Sequence, residues 1–517
     1  MLHQKNSKII LKEIIFISLI FFLLYKKNSL FSHWSYKLDQ DITIIYNSLL
    51  LSSNINQVYL DHPAYTTMFI INIFFQIFHF FNLNEIKNIT DLLNAKDKNE
   101  AIQYLYNISQ VIHISYAYIF LYLINKILYS IIRDIISSVF LTFFLIFSPS
   151  FVFLLDIIRS EILSIIFCLL YYIFLEKFLK HKIFYLILSG SFFLCAILAK
   201  IQIIFVILCF LLFFFIKNYD KGSFEKLFKN FFNTKILIVN IIFISLLIYY
   251  INHFFYKRVD KIFFIIFFLL HLFILGYFKK KNFFTYPIIN FTFGIIITVC
   301  IFKYFHHTGF NNSFHPSLQT LISSPISQSA QISSGYRFGE VDNITFIKML
   351  VEFFLKVPEG GHGTHAQTNL IFNNLSNITY LISFIYAVQC FFNKNYKKIF
   401  FVVIINFIIT SLNIVFSFRP YNFYLIYSIP FNLILIAIIC KEQFFKRYFI
   451  AIFFFLYITL DFSNINLFIS QKRDGNGNIN MICLDENIKN KRSYMRYWQP
   501  HFDEKFLYSL CRNMFKN

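Results

Sequence analysis

Residues 63–82 read PAYTTMFIINIFFQIFHFFN, and how this run is taken decides every other assignment in the chain. It is apolar and long enough to cross a bilayer, which needs roughly 20 helical residues. Other candidate spans fall at 9–25, 106–130, 135–155, 160–178, 183–199, 201–216, 236–255, 262–278, 282–305, 379–393, 399–417, 423–440 and 448–465, about thirteen in all. Suppose the N-terminus is cytoplasmic and 63–82 does not cross. The cytoplasmic turns then hold Lys126 and Arg133, then Lys177, Lys180 and Lys182, the stretch from Lys217 to Lys235, and Lys279 to Lys281. Further on they hold Lys394, Lys397 and Lys398, then Lys441, Lys446 and Arg447. Basic clusters so placed obey the positive-inside rule, and a crossing at 63–82 would turn all of them outward. The run is therefore read as a re-entrant or interfacial helix. Pro63 opens it, because a first helical turn tolerates the missing N–H.

Composition agrees with a polytopic, all-α membrane protein. Hydrophobic residues make up 57% of the 517 and charged residues 14%, against roughly 25% charged in soluble domains; mean hydropathy is +0.61. The 75 Phe and the abundance of Ile, Asn and Lys point to AT-rich coding. The net charge of +21 is not a nucleic-acid footprint, since the cations lie between hydrophobic runs rather than along one basic face. The run Ile9 to Leu24 follows Lys5 and Lys8 but has no small-residue cleavage site after it, so it reads as an uncleaved helix.

Eight cysteines show no CxxC or zinc spacing. Cys168, Cys195, Cys209, Cys300, Cys390 and Cys440 fall in or beside apolar runs and read as small packing residues. Cys483 and Cys511 lie in the polar tail and can pair if it faces an oxidising compartment. Residues 1–465 thus form a transmembrane domain, with a first outer loop at 26–105 and a long one at 306–378. The segment 466–517 is a polar outer tail with too few apolar residues for a large core of its own.

Chemistry-bearing residues gather on the outer side of this topology. Carboxylates are scarce, 26 in the chain, yet Asp39, Asp41 and Asp61 fall in one short stretch with Tyr46 and His62. Acids beside a bilayer stay wet, pair with a cation or do a job. Arg159 and Glu161, Lys200, and Arg419 with Tyr421 and Tyr424 fall on the same side. His362 and His365, in a Gly-rich turn, offer two ligands where a structural zinc wants four. They read as solvated loop histidines, and no metal is assigned.

These residues carry a resemblance. Asp39-Gln40-Asp41, Tyr46 and Asp61-His62-Pro63 resemble the first outer loop of GT-C glycosyltransferases, in the branch of protein O-mannosyltransferases and aminoarabinose–lipid A transferases (glycosyltransferase family 39-like). That family often has adjacent acids and a second proline, whereas here Gln40 separates the acids and Ala64 follows Pro63. Arg159-Ser160-Glu161 is similar to the second outer loop, Leu198-Ala199-Lys200 to a later junction, and Arg419-Pro420-Tyr421 with Tyr424 and Pro430 to a late helix start. The resemblance implies a GT-C-like bundle with a juxtamembrane outer helix. It also implies transfer of a sugar from a polyprenyl-phosphate-linked donor to a glycan, lipid or protein acceptor, at the periplasmic face of a bacterial inner membrane. Asp41 would be the base, with Asp39 as the alternative. Arg159, Lys200 and Arg419 would meet the phosphate. Glu161 and Asp61 would orient them or ligate a divalent ion, on which family members differ. His62 would bond to phosphate, and Tyr46, Tyr421 and Tyr424 would line the sugar pocket. The competing readings are a transporter or lipid flippase, a surface-glycan polymerase or ligase, and a non-catalytic member of the family.

The topology is directly testable. Thr90→Cys should be labelled by a membrane-impermeant thiol reagent in intact cells above the level of the parent protein; labelling only after permeabilisation would make 63–82 a crossing helix.

Overall fold

The computed structural model describes residues 2–26, 32–36, 41–55, 64–155, 157–180, 184–200, 202–218, 285–305, 374–417, 422–441, 446–470 and 501–511. Among these, regular structure is entirely helical. The helices are α1 (Leu2–Lys26), α2 (Asp41–Ser52), α3 (Tyr65–Phe80), α4 (Ile89–Asn94), α5 (Lys98–Ile132), α6 (Ile135–Ile146), α7 (Pro149–Leu155) and α8 (Ser160–Lys180). They continue with α9 (Phe184–Ala199), α10 (Ile203–Asn218), α11 (Thr285–Phe305), α12 (Asn374–Phe392), α13 (Tyr396–Ser417), α14 (Ile429–Lys441), α15 (Lys446–Ser470) and α16 (Glu504–Cys511). Short 3-10 turns lie at Trp34–Tyr36 and Asn422–Tyr427.

The long helix α5 is the mast of the bundle, packed by α1, α2, α3, α4, α6, α7, α8, α14 and α16. Asp97 caps its start, accepting from the N–H groups of Asn99 and Glu100. Arg133 ends it in the left-handed region, φ 57°. Its 35 residues run about 52 Å at 1.5 Å per residue, well beyond the ~30 Å of a hydrocarbon core. The surplus is at its N-terminal end. There Trp34 donates its indole N–H to Asn99 and its backbone N–H to Gln103, and α16 packs alongside.

Two polar layers lie along the bundle. At the Arg133 end, Arg447 donates from Nη2 and Nε to Asp134 at 2.8 and 3.0 Å. The same carboxylate caps α6 by accepting from the Ser137 N–H. The Arg447 hydrogen bonds and those from Ser137 hold the Asp134 carboxyl down at about 2. Its stabilisation is therefore complete above about pH 4 and is lost as pH falls toward 2. Nearer the other end, His113 of α5 donates from Nε2 to the Leu154 carbonyl at 2.7 Å, and residues 157–161 follow at once. His113 lies 19 residues from Ile132, about 28 Å along the helix, roughly one hydrocarbon thickness.

Three helical segments among the described residues, Lys98–Ile132, Leu375–Phe392 and Tyr396–Asn413, are long and apolar enough to cross a membrane. The pair α6/α7, bent by 71°, makes a fourth if it is one span. This is fewer than the thirteen expected. Six further apolar stretches of 10–17 residues lie among the described residues; of these, Phe184–Ala199 and Ile203–Asn218 are 16-residue helices, short of the roughly 20 residues a span needs. The expected spans 236–255 and 262–278 lie outside the described residues. The expected single span 135–155 breaks at Pro149, which starts α7 because its missing N–H suits a first turn. Ser148 caps that turn by accepting from the Phe151 N–H.

The run 63–82 forms α3, of 16 residues, with Pro63 outside the described residues. Near its start Thr66 donates to the Cys195 carbonyl at 3.0 Å, one turn before α9 ends. Past its end the Leu83 carbonyl accepts from Tyr104, in the second turn of α5. Tyr104 lies about 13 Å beyond His113 along α5, away from Arg133. One end of α3 is thus tied to α9 and the other to the N-terminal part of α5. Phe80, Phe81 and Leu83 are exposed there.

Helices α9 and α11 cross almost in backbone contact. A Cβ at Gly190 would stand 2.0 Å from the Phe291 carbonyl oxygen, and one at Gly294 would stand 2.0 Å from that of Ile187. Ser191 donates across the crossing to the Gly294 carbonyl at 3.0 Å. Small residues permit such an approach where hydrocarbon supplies no hydrophobic drive. Gly190→Leu should therefore destabilise the detergent-solubilised protein by at least about 1–3 kcal/mol, read as an earlier thermal unfolding, while Phe184→Ala on an exposed part of the same helix should leave the midpoint unchanged.

Candidate functional site: a buried ionic cluster at helix ends

Four of the expected residues come together where helices start and stop. Asp41 is the first residue of α2, where the positive end of the helix dipole favours a carboxylate. It is fully buried, and its Oδ1 accepts from the Ile158 backbone N–H at 2.6 Å. Ile158 lies in the break between α7 and α8. The next residue is Arg159, 4% exposed, whose Nε stands 3.4 Å from Oε2 of Glu161 in the first turn of α8. Lys200 ends α9, its N–H donating to the Ala196 carbonyl, and its own carbonyl accepts from Ile203 to open α10. Its Nζ is 3.1 Å from Oε1 of Glu161.

Glu161 is thus bracketed by two cations, and Lys200 and Glu161 are both within 1% of complete burial. Taking such charges out of water costs several kcal/mol per ion, so they persist only where they neutralise each other. With Asp41 the cluster holds two cations and two carboxylates, each from a point where a helix breaks. Breaks of this kind are where irregular backbone can line a cavity within a helical membrane protein. An arginine and a lysine present N–H donors of the kind that meet phosphate and carboxylate groups.

The 3-10 turn Asn422–Tyr427 packs on α7 and α8. Its last residue, Tyr427, lies 3.2 Å, hydroxyl to hydroxyl, from Ser164, one turn after Glu161. The expected site residue Tyr424 belongs to this turn. Asp39, Asp61, His62, Arg419 and Tyr421 lie outside the described residues, as do His362 and His365. Tyr46 is buried on α2, but its hydroxyl bonds to His501 at the start of the C-terminal helix, and Phe502 meets its ring edge-on at 5.2 Å. The tail segment completes its small core against α2 and α5 by burying Phe506, Leu507 and Leu510. Cys511 of that helix is disulfide-bonded; Cys483 is outside the described residues. The other six cysteines are thiols, with Cys300 exposed rather than packed.

Ile158, Tyr427 and His501 were not singled out from the sequence. The first contributes only a backbone amide, which no residue type announces. Tyr427 and His501 owe their positions to elements hundreds of residues away.

The cluster should behave as one electrostatic unit. Glu161→Gln leaves two buried cations short of counter-charge and should cost about 3–5 kcal/mol, seen in thermal unfolding in detergent. Adding Lys200→Met should recover part of that loss, giving a non-additive double-mutant cycle; additive losses would separate the two residues. No family model, curated protein or solved structure matches the chain, so its function is argued from this cluster.

Proposed function

We propose that the chain is a membrane glycosyltransferase that moves a sugar from a polyprenyl-phosphate carrier to an acceptor at the outer face of the membrane. The observation that supports it is the buried, charge-balanced meeting of Asp41 with Arg159, Glu161 and Lys200. Three stretches far apart in sequence contribute to it, and all three belong to the motifs that resemble the family 39-like enzymes.

Each group has a part in such a reaction. The acceptor hydroxyl attacks the anomeric carbon, its proton passes to a carboxylate, and the bond from that carbon to the phosphate oxygen breaks. Asp41 is the base. The Ile158 N–H holds Oδ1, so the incoming proton goes to Oδ2. Arg159 and Lys200, with Arg419, meet the charge that grows on the departing lipid phosphate, as preorganised cations in a dry site do. Glu161 keeps the two described cations in place. Asp39 is the alternative base, and Asp61, His62, Tyr421 and Tyr424 belong to the same outer surface. Any divalent ion would join the acidic groups Glu161 and Asp61.

The layering of the bundle supports the sidedness of this reading. The cluster, near the level of His113 and so about 28 Å along α5 from its Arg133 end, in this reading takes a membrane face rather than the midplane, where transporters bind their substrates. In this reading α3 lies along the outer face, the N-terminus is cytoplasmic, and the described helices belong to a larger GT-C-like bundle of about thirteen spans. A disulfide at Cys511 suits a tail on the oxidising side.

Asp41→Asn is the decisive variant, because the amide oxygen still accepts from Ile158 while the charge is gone. Sugar transfer should fall at least about 100-fold with expression retained and the protein still folded at the assay temperature. Undiminished transfer would remove Asp41 as the base.

A further inference from the structure

Two neutral residues adjoin the partners of the ion pair in sequence and are not used by the reaction as described. Gln202 lies two residues beyond Lys200, in the break between α9 and α10, and is 2% exposed. Its Oε1 has no hydrogen-bond partner among the described residues. Ser160 directly precedes Glu161 and is fully buried. Its Oγ has no hydrogen-bond partner among the described residues either. Most other buried serines near helix ends satisfy themselves locally: Ser164 donates to the Glu161 carbonyl and Ser148 to that of Leu145. Ser160 is the first residue of its helix. The glutamines Gln76 and Gln103 each hold several hydrogen bonds. A buried polar group left unmatched costs about 1–3 kcal/mol, and native proteins hold few of them without a reason. Here two adjoin in sequence the partners of one 3.1 Å ion pair, one in each partner's segment.

We propose that Gln202 and Ser160 form a hydroxyl-recognising subsite beside the ionic cluster, which distinguishes a sugar-bearing lipid phosphate from the bare lipid phosphate. The inference rests on the functional reading above and adds the recognition of the sugar to it. The chemistry divides cleanly. An anionic phosphate belongs with Arg159 and Lys200, whereas an uncharged hydroxyl is matched by a neutral acceptor and a neutral donor. The Gln202 carbonyl oxygen accepts from one ring hydroxyl, and the Ser160 hydroxyl donates to another. A site built to bond a hydroxyl discriminates strongly against a ligand that lacks it, because its own polar groups are then left unmatched.

The test uses the full-length protein in lipid nanodiscs and compares polyprenyl phosphate with a panel of its hexosyl and pentosyl conjugates. The parent protein should bind one conjugate more tightly than the bare lipid phosphate. Gln202→Met, of nearly the same shape, should cut that preference about tenfold, the worth of one hydrogen bond, and leave the affinity for bare polyprenyl phosphate unchanged. Ser160→Ala, which removes a single oxygen, should act in the same direction. If both variants keep the full preference, or weaken both ligands equally, the subsite is overturned while the transferase reading stands. If the parent protein binds no polyprenyl phosphate at all, both fall together.

Discussion

A carboxylate at the heart of an apolar bundle must be answered by a cation. Here Glu161 is answered twice, by Arg159 at 3.4 Å and by Lys200 at 3.1 Å. Lys200 can reach it only if α9 ends beside the start of α8, and Arg159 only if α7 stops short of it. The breaks in those helices are therefore conditions for the charges to be buried at all. Asp41 is drawn into the same place by the Ile158 amide, which fixes the start of α2 against the break. Helix α3 in turn packs on α2, and α2, α3 and α16 all pack on α5.

The division of polar groups into two layers follows from the medium. In hydrocarbon a helix satisfies its own backbone, and ionic side chains move to the ends or to water-lined cavities. Glu176 pairs with Lys217 at 3.1 Å, 15 residues and so about 22 Å along α8 from Glu161. Arg447 and Asp134 close the same end of the bundle. Between the layers the contacts are mostly apolar, with Asn125 donating to Ser138 and Thr142, and where two backbones press together at Gly190 and Gly294 even a methyl group would not fit. One layer consists of partly exposed pairs; in the other, Asp41, Arg159, Glu161 and Lys200 are all buried.

The apolar runs were legible one by one from composition, yet the described helices depart from them in instructive ways. The run 135–155 breaks at Pro149, because a proline seldom stays inside a helix. Helix α5 begins at Lys98 rather than near 106; Asp97 caps it and the polar turns that follow stand beyond the apolar layer. Hydropathy finds the buried part of a helix and not its ends, which depend on caps and packing. The acids and cations at 41, 159, 161 and 200 stood out in the sequence because charge is rare in this chain. Gln202, Ser160 and the Ile158 amide did not, since neutral residues become notable only when their surroundings leave them unmatched.

By itself the sequence determined that this is an all-helical chain rich in apolar helices, that its cations cluster between them, and which ionic residues needed an explanation. Those are consequences of composition and spacing, and hydrocarbon and charge act on them whatever the fold. Only the tertiary structure decided that Asp41, Arg159, Glu161 and Lys200 come together in a buried cluster, that Tyr46 meets His501, and that Gln202 and Ser160 are buried with a polar atom unmatched among the described residues. These are contacts between helix ends up to about 450 residues apart, set by which helices pack together, and no local pattern encodes such a meeting.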